Sequence, residues 1–308
     1  MAERRLVECV ANFSEGRDQP TIRALEDAVR GVRGAALLDR HSDPDHNRTV
    51  LTFAGAPEAV LEAALAAVSR AVELIDLNRH RGVHPRIGAA DVVPFIPLRG
   101  TTMHDCAQLA WRLGARVWEQ LGVPVYYYEQ AAPRAGRRDL AAIRRGEFER
   151  LRAEVRTDPD RKPDLGRAEL HPTAGAVAIG ARDILIAYNI NLNSPDTAAA
   201  RRIARSIRAA SGGLAAVKAL GVFLASRNRA QVTMNLTDWR RTPPHAAFEA
   251  VQRHAGQLGV RIAGSELVGL IPKEALAAGE ADLQWENLYP GSILEDRITE
   301  VFGDDRIE

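Results

Sequence analysis

The chain predicts an α/β (α+β) protein built from two ferredoxin-like β-α-β-β-α-β subdomains. Three observations carry that expectation. The same order of strand and helix patterns runs twice along the 308 residues. In each half two strand patterns follow one another directly, which a simple alternating Rossmann order does not allow. Neither G-x-G-x-x-G after a first strand nor G-x-x-x-x-G-K-[ST] occurs, so a nucleotide fold has no motif behind it.

The first half opens with LVECVANF, residues 6–13, which reads as a buried strand. Residues 19–31 follow as a helix, with Ile22, Leu25 and Val29 at near-helical spacing and Gly31 and Gly34 ending it. ALLDR (36–40) and RTVLTFAG (48–55) are rich in strand formers. Pro57 suits the first turn of the long helix EAVLEAALAAVSRAVELI, because a first-turn nitrogen has no helical partner to lose. VVPFIPL (92–98) returns as a strand, and a helix at about 103–121 and the strand VPVYYY (123–128) come next.

Residues 133–183 connect the halves. RRDLAAIRRGEFERLRAEV reads as a charged, solvated helix, and DPDRKPDLGRAELHPTAGAVAIG is dense in Pro and Gly. A connector of that length is either functional or a linker. The second half then gives ILIAYNINL (184–192) as a strand and DTAAARRIARSIRAA (196–210) as a helix stopped by Gly212 and Gly213. ALGVFL (219–224) and AQVTMNL (230–236) form a strand pair, Pro243 and Pro244 precede a helix to Leu258, and VRIAGSELVGLI is extended. The expected division is therefore 1–183 and 184–308.

Composition narrows the function. With 41 basic and 40 acidic residues the net charge is +1, which gives no electrostatic case for a nucleic-acid partner. No apolar run reaches the length of a membrane span, and Glu8 interrupts the N-terminal one, so neither a span nor a signal peptide is expected. Two cysteines, Cys9 and Cys106, suit a reducing, cytoplasmic compartment. They read as small buried residues, with a thiol nucleophile as the alternative.

Apolar strands repeatedly run into ligand-type residues: Asn12, Ser14 and Glu15 after the first; Asp39, then His41, Asp43, Asp45, His46, Asn47 and Arg48 after the second. Asn189, Asn191, Asn193, Asn235 and Thr237 do the same in the second half. Asn and Asp are disfavoured within strands, so their recurrence points to a polar groove between the halves. Strand-end hydrogen bonding to backbone is the alternative at any one position. RHRGVHPRIGAAD (79–91) adds His80, His84, Arg86 and Asp91. His80 and His84 have the spacing of helical metal ligands, but Gly82 and Pro85 break the helical frame, and Pro85 pushes His84 out of the α region. No metal is expected. A histidine fixed in a Gly/Pro loop among arginines suits proton transfer; a histidine that only bonds the loop is the alternative.

These stretches carry a resemblance. VECVANFSEGRD, DPDHNRTVLTF, ELIDLNRHRGVHPRIGAADVVPFIPL, VPVYYYEQAA, RRDLAAIRRGEFE, HPTAGAVAIGAR, LIAYNINLN and AQVTMNLTDWRRTPPHAAFE resemble the formiminotransferase domain family in order and spacing, from about Leu6 to Leu276. Ala11, where the family has Pro, is a departure that removes no polar group. The resemblance implies two α/β subdomains around a groove or tunnel. It also implies transfer of a formimino group from N-formimidoyl-L-glutamate to N5 of tetrahydrofolate, a co-substrate, in histidine breakdown.

It places the family's catalytic histidine, in G-x-H-P-R, at His84. It places a folate-contacting segment at GRAELHPTAG, with Gly166, Glu169, Leu170, His171, Pro172, Thr173, Ala174 and Gly175. It implies a homodimer, small-molecule partners, and any cyclodeaminase activity supplied by a separate protein. On this reading His84 shuttles a proton and Asp39 holds the cationic formimino group, with Asp43 and Asp45 behind it. Arg48 and Arg86 grip carboxylates, and Asn12, Asn189 and Asn235 line the substrate site. A glutamate formyltransferase using 5-formyltetrahydrofolate, a folate-binding protein without turnover, and a metal-dependent hydrolase are the competing readings.

Overall fold

The computed structural model describes residues 5–276 and 283–303, which divide at Arg182 and Asp183 into two compact units. In the N-terminal unit the order is β1 (Val7–Phe13), α1 (Gln19–Arg30), β2 (Ala35–Asp43), β3 (Arg48–Gly55), α2 (Pro57–Leu74) and β4 (Ala90–Pro97). Then come α3 (Met103–Leu121), β5 (Val125–Glu129), the short helices α4 (Leu140–Arg144) and α5 (Glu147–Glu154), and β6 (Val177–Ala181). The strands form one sheet in the order β2-β3-β1-β4-β6-β5. Its first four are antiparallel, and β6 joins β4 and β5 in parallel.

Strand alternation decides which residues meet the helices. Cys9, Ala11 and Phe13 of β1, Leu51 and Phe53 of β3, and Val93 and Phe95 of β4 pack under α1, α2 and α3. Burying one such Phe is worth about 1.5–3 kcal/mol, so this row alone orients the sheet. The period of two then puts Asn12, Val50 and Thr52 on the other face. The helices start where local chemistry stops the strand. The Asp18 side chain accepts from the Thr21 amide at the head of α1, and Thr102 and Asp105 cap α3 reciprocally. Gly122, at φ 66°, ends α3 in the left-handed conformation.

The connector differs from the expectation of a solvated helix. Gly146, at φ 78°, splits it into α4 and α5, and Ile143, Phe148 and Leu151 are buried. Ile143 and Leu151 join Ile87, Val92, Tyr126 and Tyr128 in a small second core on the sheet face opposite α1–α3. The charged residues mask an apolar stripe too short to show a period. The segment after it contains β6, which lies centrally between β4 and β5; its VAIGA run is hidden among Pro and Gly.

The C-terminal unit runs β7 (Ile186–Leu192), α6 (Thr197–Ile207), β8 (Val217–Leu224), β9 (Arg229–Leu236), α7 (Pro244–Gln257), β10 (Ile262–Val268), α8 (Lys273–Leu276) and α9 (Leu294–Phe302). Its sheet order, β10-β7-β9-β8, repeats β4-β1-β3-β2 strand for strand. The β-α-β-β-α-β reading therefore holds in both halves, with β5 and β6 added to the first. Tyr188, Ile190 and Leu192 point to α6 and α7, which puts Asn189 and Asn191 on the opposite face. The arginines Arg201, Arg202 and Arg205 of α6 are exposed. Among the described residues no helix is long and apolar enough to cross a membrane.

Candidate active site

The loop that bears His84 (residues 76–89) is held from two sides. On one side stands the β2–β3 turn. Asp43 Oδ1 accepts the Asp45 and His46 amides at 2.8 and 2.7 Å, an Asx turn that Pro44 suits. Asn47 follows at φ 49°, a left-handed conformation that Asn tolerates. Its side chain then staples three segments: Oδ1 accepts the Gly16 amide at 2.9 Å, and Nδ2 donates to the Arg81 carbonyl at 3.0 Å. Gly82 lies directly on this turn, since a Cβ there would sit 2.2 Å from the His46 carbonyl. The Val83 amide donates to the Asp45 carbonyl at 3.1 Å.

On the other side stands the turn at His171–Gly175. His171 and Gly175 exchange backbone hydrogen bonds of 2.9 and 3.1 Å, and His171 Nδ1 accepts the Ala174 amide at 3.0 Å. The turn grips both flanks of the His84 loop: the Leu77 amide donates to the Thr173 carbonyl, and the Ala89 amide to the Ala174 carbonyl, each at 2.9 Å. The Pro172 carbonyl accepts from Asn78 at 3.0 Å. Gly175, at φ 71°, leaves no room for a side chain beside the Ile87 carbonyl. Of the rest of the segment, Gly166 packs against Trp118, Glu169 pairs with Arg156 at 2.9 Å, and Leu170 packs against the second core.

His80 and His84 do not converge. Arg86 Nε donates to His80 Nδ1 at 3.1 Å, so the remaining His80 proton is on Nε2, which donates to the Asn47 carbonyl at 2.8 Å. Both ring nitrogens are spent, and burial lowers the His80 pKa. Among the described residues no group of three or more His, Cys, Asp or Glu side chains is placed to hold a metal ion. His84 is part-buried, its ring 6.0 Å from that of His46 and tilted by 40°. Burial, then the charges of Arg48 and Arg144, then His46, hold its pKa well below 6.5. The ring is thus neutral at rest, with a backbone hydrogen bond at Pro85 opposing the shift only in part.

The arginines separate. Arg86 is buried and bound at Nη1 by Glu147 (2.9 Å) and at both Nη by Glu149 (2.8 and 2.7 Å). Its hydrogen bond holds the Glu149 carboxyl down to about 2. Arg86 therefore clamps α5 to the loop, and a substrate carboxylate would have to displace Glu149. Arg48, at the start of β3, is part-buried; its guanidinium makes no hydrogen bond or ion pair with any described residue, although the charges of Asp43 and Asp91 favour it. Burial and the nearby Arg144 lower its pKa to about 10.

The other candidates lie on the sheet faces opposite α1–α3 and α6–α7. Asp39 sits at a bulge of edge strand β2, in register with Thr52, and Asn12 pairs with Val50. Asn12 Nδ2 donates to the Val10 carbonyl at 3.1 Å. Asn189 is buried in register with Glu266 and Thr233, and Asn235 lies in register with Ala187 and Lys218. Neither amide hydrogen-bonds a described residue. Cys9 and Cys106 are both buried free thiols, and burial raises Cys106 to about 12, far from a thiolate at neutral pH. The sequence pattern does not single out Arg144 or the clamp Glu147–Glu149, because both sit in a segment that reads as solvated.

Two like β-α-β-β-α-β units, each with its main helices on one sheet face and polar side chains on the other, define a two-subdomain α/β protein. Residues 6–182 match the formiminotransferase domain, N-terminal subdomain, and residues 187–298 match the formiminotransferase domain. The chain is 47% identical over 296 residues to a glutamate formimidoyltransferase of Thermoplasma acidophilum, covering 95% of this chain and 97% of that one. It is 40% identical to a glutamate formimidoyltransferase of Streptococcus pyogenes, covering 96% and 99%. It is 46% identical over 292 residues to a formimidoyltransferase-cyclodeaminase of Sus scrofa, covering 92% of this chain and 54% of that protein. The chain belongs to the formiminotransferase domain family.

Proposed function

We propose that the protein transfers the formimino group of N-formimidoyl-L-glutamate to N5 of tetrahydrofolate, giving 5-formimidoyltetrahydrofolate and L-glutamate. The observation that carries this is the match, over nearly the whole of both chains, to relatives named glutamate formimidoyltransferase. The loop geometry supplies a chemical route. N5 attacks the amidine carbon and forms a tetrahedral intermediate. His84, neutral at rest, accepts the N5 proton and returns it to the glutamate nitrogen as the C–N bond breaks. The low His84 pKa makes the imidazolium a strong acid for that second step.

Asp39 faces the cationic formimino group from the face of β2 opposite α1–α3, and Arg48 holds a substrate carboxylate. The 166–175 segment receives the folate, so that the same turn contacts the pterin and braces the His84 loop. Asn12, Asn189 and Asn235 supply amide contacts. The reading makes tetrahydrofolate a co-substrate, needs no metal, and carries the family's implication of a homodimer in the cytoplasm. The test is a side-by-side assay with two donor pairs. Turnover of formimidoylglutamate with tetrahydrofolate is expected; turnover confined to 5-formyltetrahydrofolate with glutamate would replace formimino by formyl.

A further inference from the structure

We infer that His80 is a positioning residue for His84: its neutral ring closes the His84 loop onto Arg86, and the loop keeps its working geometry only while that ring stays neutral. The kinetic consequence rests on the functional reading above, and the linkage itself on the loop contacts alone.

The loop is held by bonds from both of its ends. Three of them dock it on the β2–β3 turn. The Val83 amide donates to the Asp45 carbonyl at 3.1 Å, Asn47 Nδ2 to the Arg81 carbonyl at 3.0 Å, and His80 Nε2 to the Asn47 carbonyl at 2.8 Å. A fourth ties the ends together. Arg86 Nε donates to His80 Nδ1 at 3.1 Å, which closes residues 80–86 into a ring that contains His84. Arg86 is itself fixed by α5, through Glu147, Glu149 and the Phe148 amide, which donates to the Arg86 carbonyl at 2.9 Å. His80 is thus the joint between the turn and α5. His80 and Arg86 are each only 6% exposed, so a broken bond between them leaves buried polar atoms that water does not readily satisfy.

This joint works in one protonation state. A guanidinium has donors only, so Nδ1 must accept and Nε2 must carry the single proton. A second proton, on Nδ1, would set two N–H groups head to head and place a cation beside a guanidinium. The Asn47 bond survives that change and the Arg86 bond does not. The charges that face the ring are Arg86 and Arg81 within the loop, Glu15 and Arg17 from the β1–α1 connection, and Glu147 and Glu149 of α5 behind Arg86. Burial, Arg86 and Arg17 hold the ring neutral against the opposing Asn47 bond and Glu15.

The test joins pH profiles to hydrogen exchange. His80→Ala should lower kcat for formimino transfer by roughly 100-fold, the cost of a small misplacement of a reacting group, and change KM much less. His80→Gln offers an amide oxygen and an amide N–H that do not titrate, so it should recover most of that kcat at neutral pH. Two imidazoles that must both be neutral put the half-maximal pH of the acid limb above that of either alone. His80→Gln should therefore move that pH down, a change that a purely structural role would not produce. The second readout needs no turnover. Protection of the Val83 amide should fall in His80→Ala, and in the wild type as the His80 ring titrates, followed by imidazole NMR; His80→Gln should lack the acid-induced loss. The Asp45 and His46 amides, held by Asp43, should stay protected throughout. A wild type that loses Val83 protection in step with His80 but lacks formimino transfer would support the linkage and count against the functional reading alone. In a chain that does transfer the group, an unchanged kcat in His80→Ala or an unmoved acid limb in His80→Gln would overturn the inference. Val83 protection indifferent to His80→Ala and to the His80 titration would overturn it whatever the turnover.

Discussion

Arg48 opens β3 of the N-terminal unit and Arg229 opens β9 of the C-terminal unit, at the same place in the same strand order. Asn12 of β1 faces Val50 across the ladder, and Asn191 of β7 faces Gln231. The scaffold positions agree, but the use of their polar atoms does not. Arg229 reaches Glu286 at 3.7 Å, and Asn191 donates to Glu266 and Glu286 at 3.1 and 2.9 Å while accepting from Gln231 at 2.9 Å. Arg48 has no such partner. The second unit closes both positions through long-range partners, whereas in the first Asn12 bonds only its own strand and the Arg48 guanidinium stays open. Polar residues spent inside the fold support stability, and those left unspent are available to a ligand.

The strongest challenge to that division is His84→Ala. It should lower kcat/KM by roughly 10²- to 10⁴-fold, the usual share of an acid–base group. The melting temperature should hold, because Asn47, Gly82 and the 171–175 turn fix the loop without the ring. Near-normal transfer by this variant would show that the open charges of the first unit do not serve proton transfer.

A matched pair comes next. Arg48→Gln should raise KM by roughly 10- to 100-fold with little loss of stability, since it breaks no internal bond. Arg229→Gln should leave turnover near the wild type and change stability by no more than about 1 kcal/mol, as for other exposed ion pairs. Asn191→Ala removes bonds to a buried carboxylate and should cost about 1–3 kcal/mol in urea unfolding. Equal kinetic effects of Arg48→Gln and Arg229→Gln would erase the distinction.

How much of this is legible without coordinates depends on what each residue's role leaves in the pattern. The strands and long helices are readable because their apolar periods run for several repeats, as in Ile22, Leu25 and Val29. That the backbone around His84 is not helical is readable because Gly82 and Pro85 break the helical frame. Arg86 and Arg48 look alike in sequence; only the placement of Glu147 and Glu149, some sixty residues on, separates a clamp from an open guanidinium. β6 and Arg144 are hidden for the same reason. Each belongs to a segment too short to show a period, and each takes its meaning from long-range partners, β4 and β5 for one and Asp91 for the other.

The smallest expected effect is on stability against pH, and it tests whether the first unit's open charges act on His84 as described. The groups around that ring are Arg48 from β3, Arg144 from α4 and His46 from the β2–β3 turn, all of which push its pKa down in addition to burial. The unfolded chain restores the ordinary value near 6.5. Between the folded and unfolded values the unfolded state therefore binds more proton, and stability rises with pH. The contribution is complete above about pH 6.5 and is lost as pH falls toward the folded value. His80 and His171 are shifted in the same direction, so the wild type keeps an acid-sensitive background that a single variant does not remove. Urea unfolding at about pH 7.5, 6.5 and 5.5 should show His84→Gln losing less stability on acidification than the wild type. Parallel slopes would mean that the imidazole titrates normally in the folded chain, and that the open guanidiniums of this unit do not set its proton affinity.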